Sequence, residues 1–267
     1  MLIQFSVQNF KSFKSDITLS MEAEPITEHA ETHVFDAGKR KLLKSALIYG
    51  ANASGKSNLI NAIEFMRKFV LDSVKYSNFT DNIEVVPFRL HTETEHQPSI
   101  FEAVFQLGAR TYRYGFSVNM FSVQEEWLYQ DGKLLFERDK REIQCQFEEG
   151  KGLEKRTRHN ALFLSVVANF NGEISQKIQS WFKNVRIISD PHKVLIDVTF
   201  EMLKYPDEKA KILKLLEIAD FGIEDLEVEA FTLDSLEIKE RLIRYIYGMT
   251  PKFTGIYSHR VQFDEQG

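Results

Sequence analysis

The sequence has one cysteine, Cys145, among its 267 residues. No disulfide can form within the chain, which sets aside the disulfide-stapled secreted class and makes the cytoplasm the simplest compartment. Long apolar runs are also missing. No stretch approaches the roughly 20 apolar residues of a membrane-spanning helix, and Met1-Leu2-Ile3-Gln4 opens neither a basic flank nor the apolar stretch of a secretory leader. No membrane partner is expected. An excess of basic charge is lacking too. The formal net charge is −5, which argues against wholesale wrapping of nucleic acid and leaves room for a local basic patch. Seven histidines are scattered without ligand spacing, so they predict no metal site. No internal repeat and no low-complexity linker divides the chain. What is present is ordinary for a soluble globular protein: 43% hydrophobic and 27% charged residues, with 22 phenylalanines that predict a sizeable core. The length suits one large domain or two small ones.

The most informative stretch is "LIYGANASGKSNLI", residues 47–60. Gly50, Gly55, Lys56 and Ser57 fill the pattern G-x-x-x-x-G-K-[ST]. Before it, Ala46-Leu47-Ile48-Tyr49 reads as a buried parallel strand. After it, Leu59, Ile63, Met66, Val70 and Val74 recur at helical steps. Strand, glycine loop and helix are the context in which this motif holds phosphate. Glycines let the backbone approach closely, and N–H groups at a helix N-terminus point at negative charge. The pattern predicts ATP and Mg2+ as cofactors, held by Gly50, Asn52, Ala53, Ser54, Gly55, Lys56, Ser57 and Asn58. Lys56 neutralises the β- and γ-phosphates and Ser57 ligates Mg2+.

Around this motif the chain reads as mixed α and β. "LIQFSVQNF" alternates, with Ile3, Phe5 and Val7 on one face, and "DITLSM" reads as its partner strand. Residues 22–44 read as a loop. "SIFEAVFQLGARTYRYGFSV" breaks at Gly108-Ala109 and "VQEEWLYQDGKLLFER" at Asp131-Gly132, both hairpin signals, and "REIQCQF" adds a strand. Consecutive hairpins predict an antiparallel sheet. After Gly152 the pattern turns helical: "NALFLSVVANF" and "EISQKIQSWFKN" carry helical spacing, with Ile174, Ile178, Trp181 and Phe182 on one face. "VRIIS" reads as a strand. Pro206 and Asp207 open a helix through Ile218 that closes near Phe221-Gly222. Leu226, Val228 and Ala230 mark another strand, and "GIYSHRVQF" (255–263) a last one.

"QNFKSF" (8–13) placed before "GANASGKSN" (50–58) resembles the ABC-type ATPase heads of the SMC, RecF and OLD group. The nearest resemblance is to RloA- and AbiL-like AAA-family ATPases of bacterial phage defence. These share the "LSM" second strand, the Asn-rich loop, the "YRYGF…EEWLY" hairpin (112–129) and a segment like "NALFLSVVANFN" (160–171). The resemblance spans nearly the whole chain. It implies an α/β fold, a P-loop NTPase core of the ABC-head type with an appended antiparallel β layer and a helical segment. Residues 1–152 would form an ATP-binding lobe with the P-loop and antiparallel sheet. Residues 153–267 would form a helical and mixed segment leading toward a C-terminal ATPase lobe.

The resemblance also frames what is absent. Such heads carry a signature segment, a hydrophobic strand ending in Asp-Glu (Walker B) and a switch histidine, and none follows Ser57. "VRIISDP", with Asp190 after Ser189, is a poor substitute for the water-activating pair. The expectation is that this is the N-terminal part of a longer ATPase, or a truncated product, and that turnover needs those further segments. On the same resemblance, Lys11 and Ser12 approach the base and ribose, or are a solvated strand end. Asn52 orders the loop or nears the attacking water, or serves turn chemistry. Asn169 falls at the position of the family's Mg2+-ligating glutamine, one methylene short, or is a helix-end asparagine.

Three further features have weaker claims. Lys151, Lys155, Arg156 and Arg158 form a basic stretch that suits either solvent or a nucleic-acid backbone. Tyr112, Tyr114 and Phe116 lie on one strand face and read as core more readily than, with Trp127, as a base-stacking platform. Cys145 reads as a packed small residue. The expected function is an ATPase whose ATP-bound subunits associate as a homodimer or higher homo-oligomer and gate an effector, a nuclease or toxin, in phage defence. A DNA contact is a further expected partner. The rivals are a RecF- or SMC-like DNA-repair head and a nucleotide-dependent scaffold with little turnover.

Overall fold

The computed structural model describes residues 1–75, 82–140, 142–188, 199, 201–220, 223–232 and 252–260. Two compact units divide the chain, Met1–Ile187 and Ile188–Gly267.

Alternation builds the first unit. Strand β1 (Leu2–Gln8) buries Ile3, Phe5 and Val7, and its polar residues between them are only partly covered. It pairs antiparallel with β2 (Ile17–Ser20) on one side and with β5 (Ser99–Leu107) on the other. From β5 the chain runs as a meander through β6 (Arg110–Val118), β7 (Val123–Gln130), β8 (Lys133–Asp139) and β9 (Glu142–Cys145). The result is a seven-stranded sheet of order β2-β1-β5-β6-β7-β8-β9, every pairing antiparallel. The two expected hairpins form at their expected turns: Asp131 takes φ 51 and Gly132 φ 82, the left-handed pair that a tight hairpin requires.

One face of the sheet carries helices α2 (Lys56–Asp72), α3 (Phe163–Asn169) and α4 (Glu173–Asn184). The abundant phenylalanines fill this interface. Phe101 sits within ring contact of Phe10, Phe65 and Phe116, and Phe105 stacks on Trp181 at 4.1 Å between centroids. Tyr112, Tyr114 and Phe116 are buried in this core, so they offer no platform to a base. Trp127 lies on the opposite face of the sheet, over Gly115, where a Cβ would sit 2.4 Å from its ring. The change from strand to helix near residue 152 is visible, yet α3 and α4 complete the first unit because their apolar faces cover its sheet.

A buried ionic cluster seats α3. Glu126 is fully buried on β7 and accepts from Tyr114 Oη (3.0 Å), Phe163 N (2.6 Å) and Leu164 N (3.0 Å). It thereby caps the N-terminus of α3, where N–H groups lack helical partners. Arg138 Nη1 stands 3.9 Å from Glu126 and donates to Ala161 O at 2.8 Å. Burial pushes the Glu126 carboxyl above the ordinary glutamate range, with Arg138 and the two N–H groups pulling the other way.

In the second unit, Pro206 opens α5 (Pro206–Ile218), with Asp207 and Glu208 in its first turn, as the sequence predicts. Strands β10 (Ile223–Thr232) and β11 (Lys252–Arg260) pair antiparallel, and Lys209 Nζ reaches Asp225 Oδ1 at 2.6 Å.

Three expectations are corrected. Residues 46–49 form no strand, and Leu47 and Tyr49 are 78% and 85% exposed. A parallel strand needs a neighbour to bond with, and among the described residues none pairs with this run. Residues 185–188 likewise form no strand; Ser189, Asp190 and Pro191 lie outside the described residues. The segment 22–44 is more than a loop: it holds a short helix, α1 (Ala30–His33), and a small hairpin, β3 (Val34–Asp36) with β4 (Lys41–Leu43), anchored by buried Leu42. Phe221, Gly222 and residues 261–263 lie outside the described residues. No described helix is long and apolar enough to cross a membrane.

Candidate nucleotide-binding site

Residues 50–55 form an exposed loop that runs into the 17-residue helix α2. Gly55 is its N-cap with φ +96, and Ala53 takes φ 65. Left-handed residues turn successive N–H groups toward one side, which makes a concavity suited to anions. No side chain caps the helix and no acidic residue lies in its first turn. The positive end of the helix is therefore uncompensated. Ser54 N bonds to Ala51 O at 3.2 Å and closes the turn. The N–H groups of Asn52, Ala53, Gly55, Lys56 and Ser57 bond to none of the described residues. A helix start leaves such donors for a side chain, water or ligand to satisfy.

Lys56 Nζ donates to the carbonyls of Gly50 and Ala51, each at 2.7 Å. The ammonium thus lies against the loop itself, held by two neutral acceptors. The Ser57 hydroxyl, on the exposed side of the first helical turn, bonds to none of the described residues. The residues present fit a nucleotide phosphate: five N–H donors without a described partner, one cation and one uncommitted hydroxyl lie within residues 52–57, at a helix start.

The turn after β1 braces this loop, and here the structure adds residues that sequence reasoning missed. Asn9, buried with φ 53, donates through Nδ2 to Thr94 O (2.8 Å) and Gln97 O (2.9 Å). Its Oδ1 accepts from Phe88 N at 3.1 Å. Phe10 and Phe13 then exchange both backbone hydrogen bonds, at 2.9 and 2.8 Å. The turn so fixed presents Ser12 and Phe13 to Gly55. A Cβ on Gly55 would stand 2.9 Å from Ser12 Oγ and 3.0 Å from the Phe13 ring. Asn58 Nδ2 donates to Ser12 Oγ at 2.8 Å, tying the turn to α2. A polar residue ending an alternating strand was the available signal for Asn9.

Of the expected site residues, Gly50, Asn52, Ala53, Ser54, Gly55, Lys56, Ser57 and Asn58 form one continuous loop and helix start, and Ser12 joins them. Lys11 is on the same turn. Its N–H bonds to Val86 O at 2.9 Å, and its ammonium lies 5.5 Å from the Phe10 ring centre. It lines a 290 Å3 cleft beside α2 with Asn61, Glu64 and Lys68. Asn169 is the exposed last residue of α3 and makes no hydrogen bond to the loop. Cys145 donates to Phe147 O at 3.3 Å, and burial pushes its thiol up, the environment of a packed rather than a reactive cysteine. Among the described residues no three His, Cys, Asp or Glu side chains gather as a metal site.

No curated protein matches the chain. A family described as "AAA domain, putative AbiEii toxin, Type IV TA system" matches residues 45–209, more than half of the chain, from just before the loop to the first turn of α5 in the second unit. The loop, its helix and the match agree: the chain has the α/β P-loop NTPase fold and belongs to this AAA-domain family.

Proposed function

We propose that the chain binds ATP with Mg2+ at residues 50–58 and serves as the nucleotide-binding head of an ABC-type ATPase, akin to the OLD-like RloA and AbiL ATPases. The observation that carries the reading is the set of five uncommitted N–H groups at the uncapped start of α2, with Lys56 among them. Lys56 exchanges its two neutral carbonyl acceptors for phosphate oxygens, a charge-assisted and stronger contact. Ser57 offers its hydroxyl to Mg2+, and Asn169 is the second ligand that the resemblance implies. Bound Mg2+ neutralises charge on the β- and γ-phosphate oxygens. Ser12 and Lys11, held by the Asn9 turn, border the nucleoside side of the loop.

In this reading hydrolysis needs two elements beyond the loop: an acid that orients water, and a contact to the γ-phosphate from an opposed subunit. ATP is then shared between two copies, favours their association, and loses that effect on hydrolysis. The family description, which names an AbiEii-type toxin system, supports an effector that is a nuclease or toxin and a setting in phage defence. The test is phosphate release by the intact protein with Mg-ATP. Release that Lys56→Ala abolishes supports the ATPase reading. ATP binding without release contradicts hydrolysis and favours the nucleotide-dependent scaffold. Turnover stimulated by DNA ends favours a RecF- or SMC-like head instead.

A further inference from the structure

Beyond the nucleotide loop, the segment after β9 forms a basic concavity. A hollow of 400 Å3 is lined by Lys155, Arg156, Arg158 and His159, with Glu154 as its acidic member. Its setting is unusual in a chain whose net charge is −5. The floor is rigid. Arg138 donates from beneath it to Lys140 O (2.9 Å), Ala161 O (2.8 Å), Arg158 O (3.4 Å) and His159 O (3.3 Å). The backbone that carries the surface cations is thus gathered around one buried guanidinium.

Lys155 and Arg156 are exposed, and neither side chain makes a hydrogen bond or ion pair with a described residue. Arg158 spends one donor, Nη2, on Val74 O at 3.1 Å. Arg156 extends over the ring of Phe170, 5.9 Å from its centre, and Phe170 is 54% exposed just past the end of α3. A large aromatic ring in solvent beside exposed cations is the combination that single-stranded nucleic acid recognises. Cations track the phosphates, and a base stacks on the ring. A duplex keeps its base faces covered and cannot use the ring.

We propose that Lys155, Arg156, Arg158 and Phe170 form a single-stranded nucleic-acid site, distinct from the nucleotide loop. Phosphodiesters occupy the concavity and one base stacks on Phe170 in continuity with Arg156. The site does not depend on the ATPase reading, because it uses none of the loop's residues.

The experiment is fluorescence anisotropy with a labelled 15-mer of oligothymidine at low salt, without ATP. Three phosphate contacts give a slope of log affinity against log salt of about −2. The double variant Lys155→Glu/Arg156→Glu loses at least about tenfold in affinity, and its slope falls to about −0.7. Phe170→Ala loses roughly fivefold or more, and Arg156→Lys, which keeps the charge, retains binding. The thermal unfolding midpoint of each variant stays at the wild-type value and so separates loss of this site from loss of fold. The proposal is overturned by absent or salt-independent binding to the wild-type protein, by an unaffected double variant, or by a loss of oligonucleotide binding matched by a fall in the unfolding midpoint. An equal affinity for blunt duplex of the same length, or an unaffected Phe170→Ala, overturns the assignment to single strands.

Discussion

Gly55 and Asn9 show how single residues hold the phosphate loop in place. Gly55 occupies φ +96 and has Ser12 and Phe13 where a Cβ would stand. Gly55→Ala therefore pays both backbone strain, about 1–3 kcal/mol, and displacement of the bracing turn. Its expected effect is loss of Mg-ATP binding with a modest drop in unfolding midpoint; a variant that binds ATP normally contradicts the role given to this contact. Asn9 is further from the loop but satisfies three backbone groups from two segments. Asn9→Ala leaves buried donors and acceptors unpaired, at about 1–3 kcal/mol each, so urea unfolding should show a loss on the order of 3 kcal/mol. The glycine loop and the helix that follows it were legible in the sequence because their residues are contiguous and the pattern is local. The Asn9 brace was not, because its partners lie some 80 residues away at Phe88, Thr94 and Gln97 and no local pattern announces them.

Among the elements, α3 depends on a carboxylate from a strand. Glu126 shares a strand face with Leu128, so a charge falls in phase with the core, and that mismatch was the one sequence sign of the buried cluster. Glu126→Gln keeps the shape but turns an amide NH2 toward a backbone N–H donor and leaves that donor buried and unpaired. A loss of about 1–3 kcal/mol is expected in urea unfolding. The pH dependence has a defined sign. Burial raises the folded-state pKa of Glu126 above its ordinary 4.5, so the folded chain holds the proton more tightly than the unfolded chain. This contribution is complete below 4.5 and is lost as pH rises through the folded value. The stability gap between wild type and Glu126→Gln therefore widens as pH falls from 7 toward 4.5. A gap that is constant with pH contradicts the buried-carboxyl account. The β-hairpins were legible from alternation and from turns such as Asp131-Gly132, because hairpin pairing is local. The runs 46–49 and 185–188 misled for the opposite reason: apolar content specifies burial, while strand formation also needs a partner.

At the scale of the molecule, the first unit carries both the glycine loop at the start of α2 and the basic hollow after β9. If ATP is shared between copies, Mg-ATP should raise the apparent mass of the intact protein in light scattering, and Lys56→Ala should not respond. Association that ignores ATP contradicts the shared-site proposal and leaves nucleotide binding standing. The central claim is narrower, that the loop and helix start at residues 50–58 form a phosphate site. Titration calorimetry of Mg-ATP into wild type and Lys56→Ala tests it most directly. The account predicts saturable binding by the wild-type protein and an affinity at least about tenfold weaker in the variant, equivalent to roughly 1.4 kcal/mol for one charge-assisted contact; equal affinities in the two proteins would contradict it.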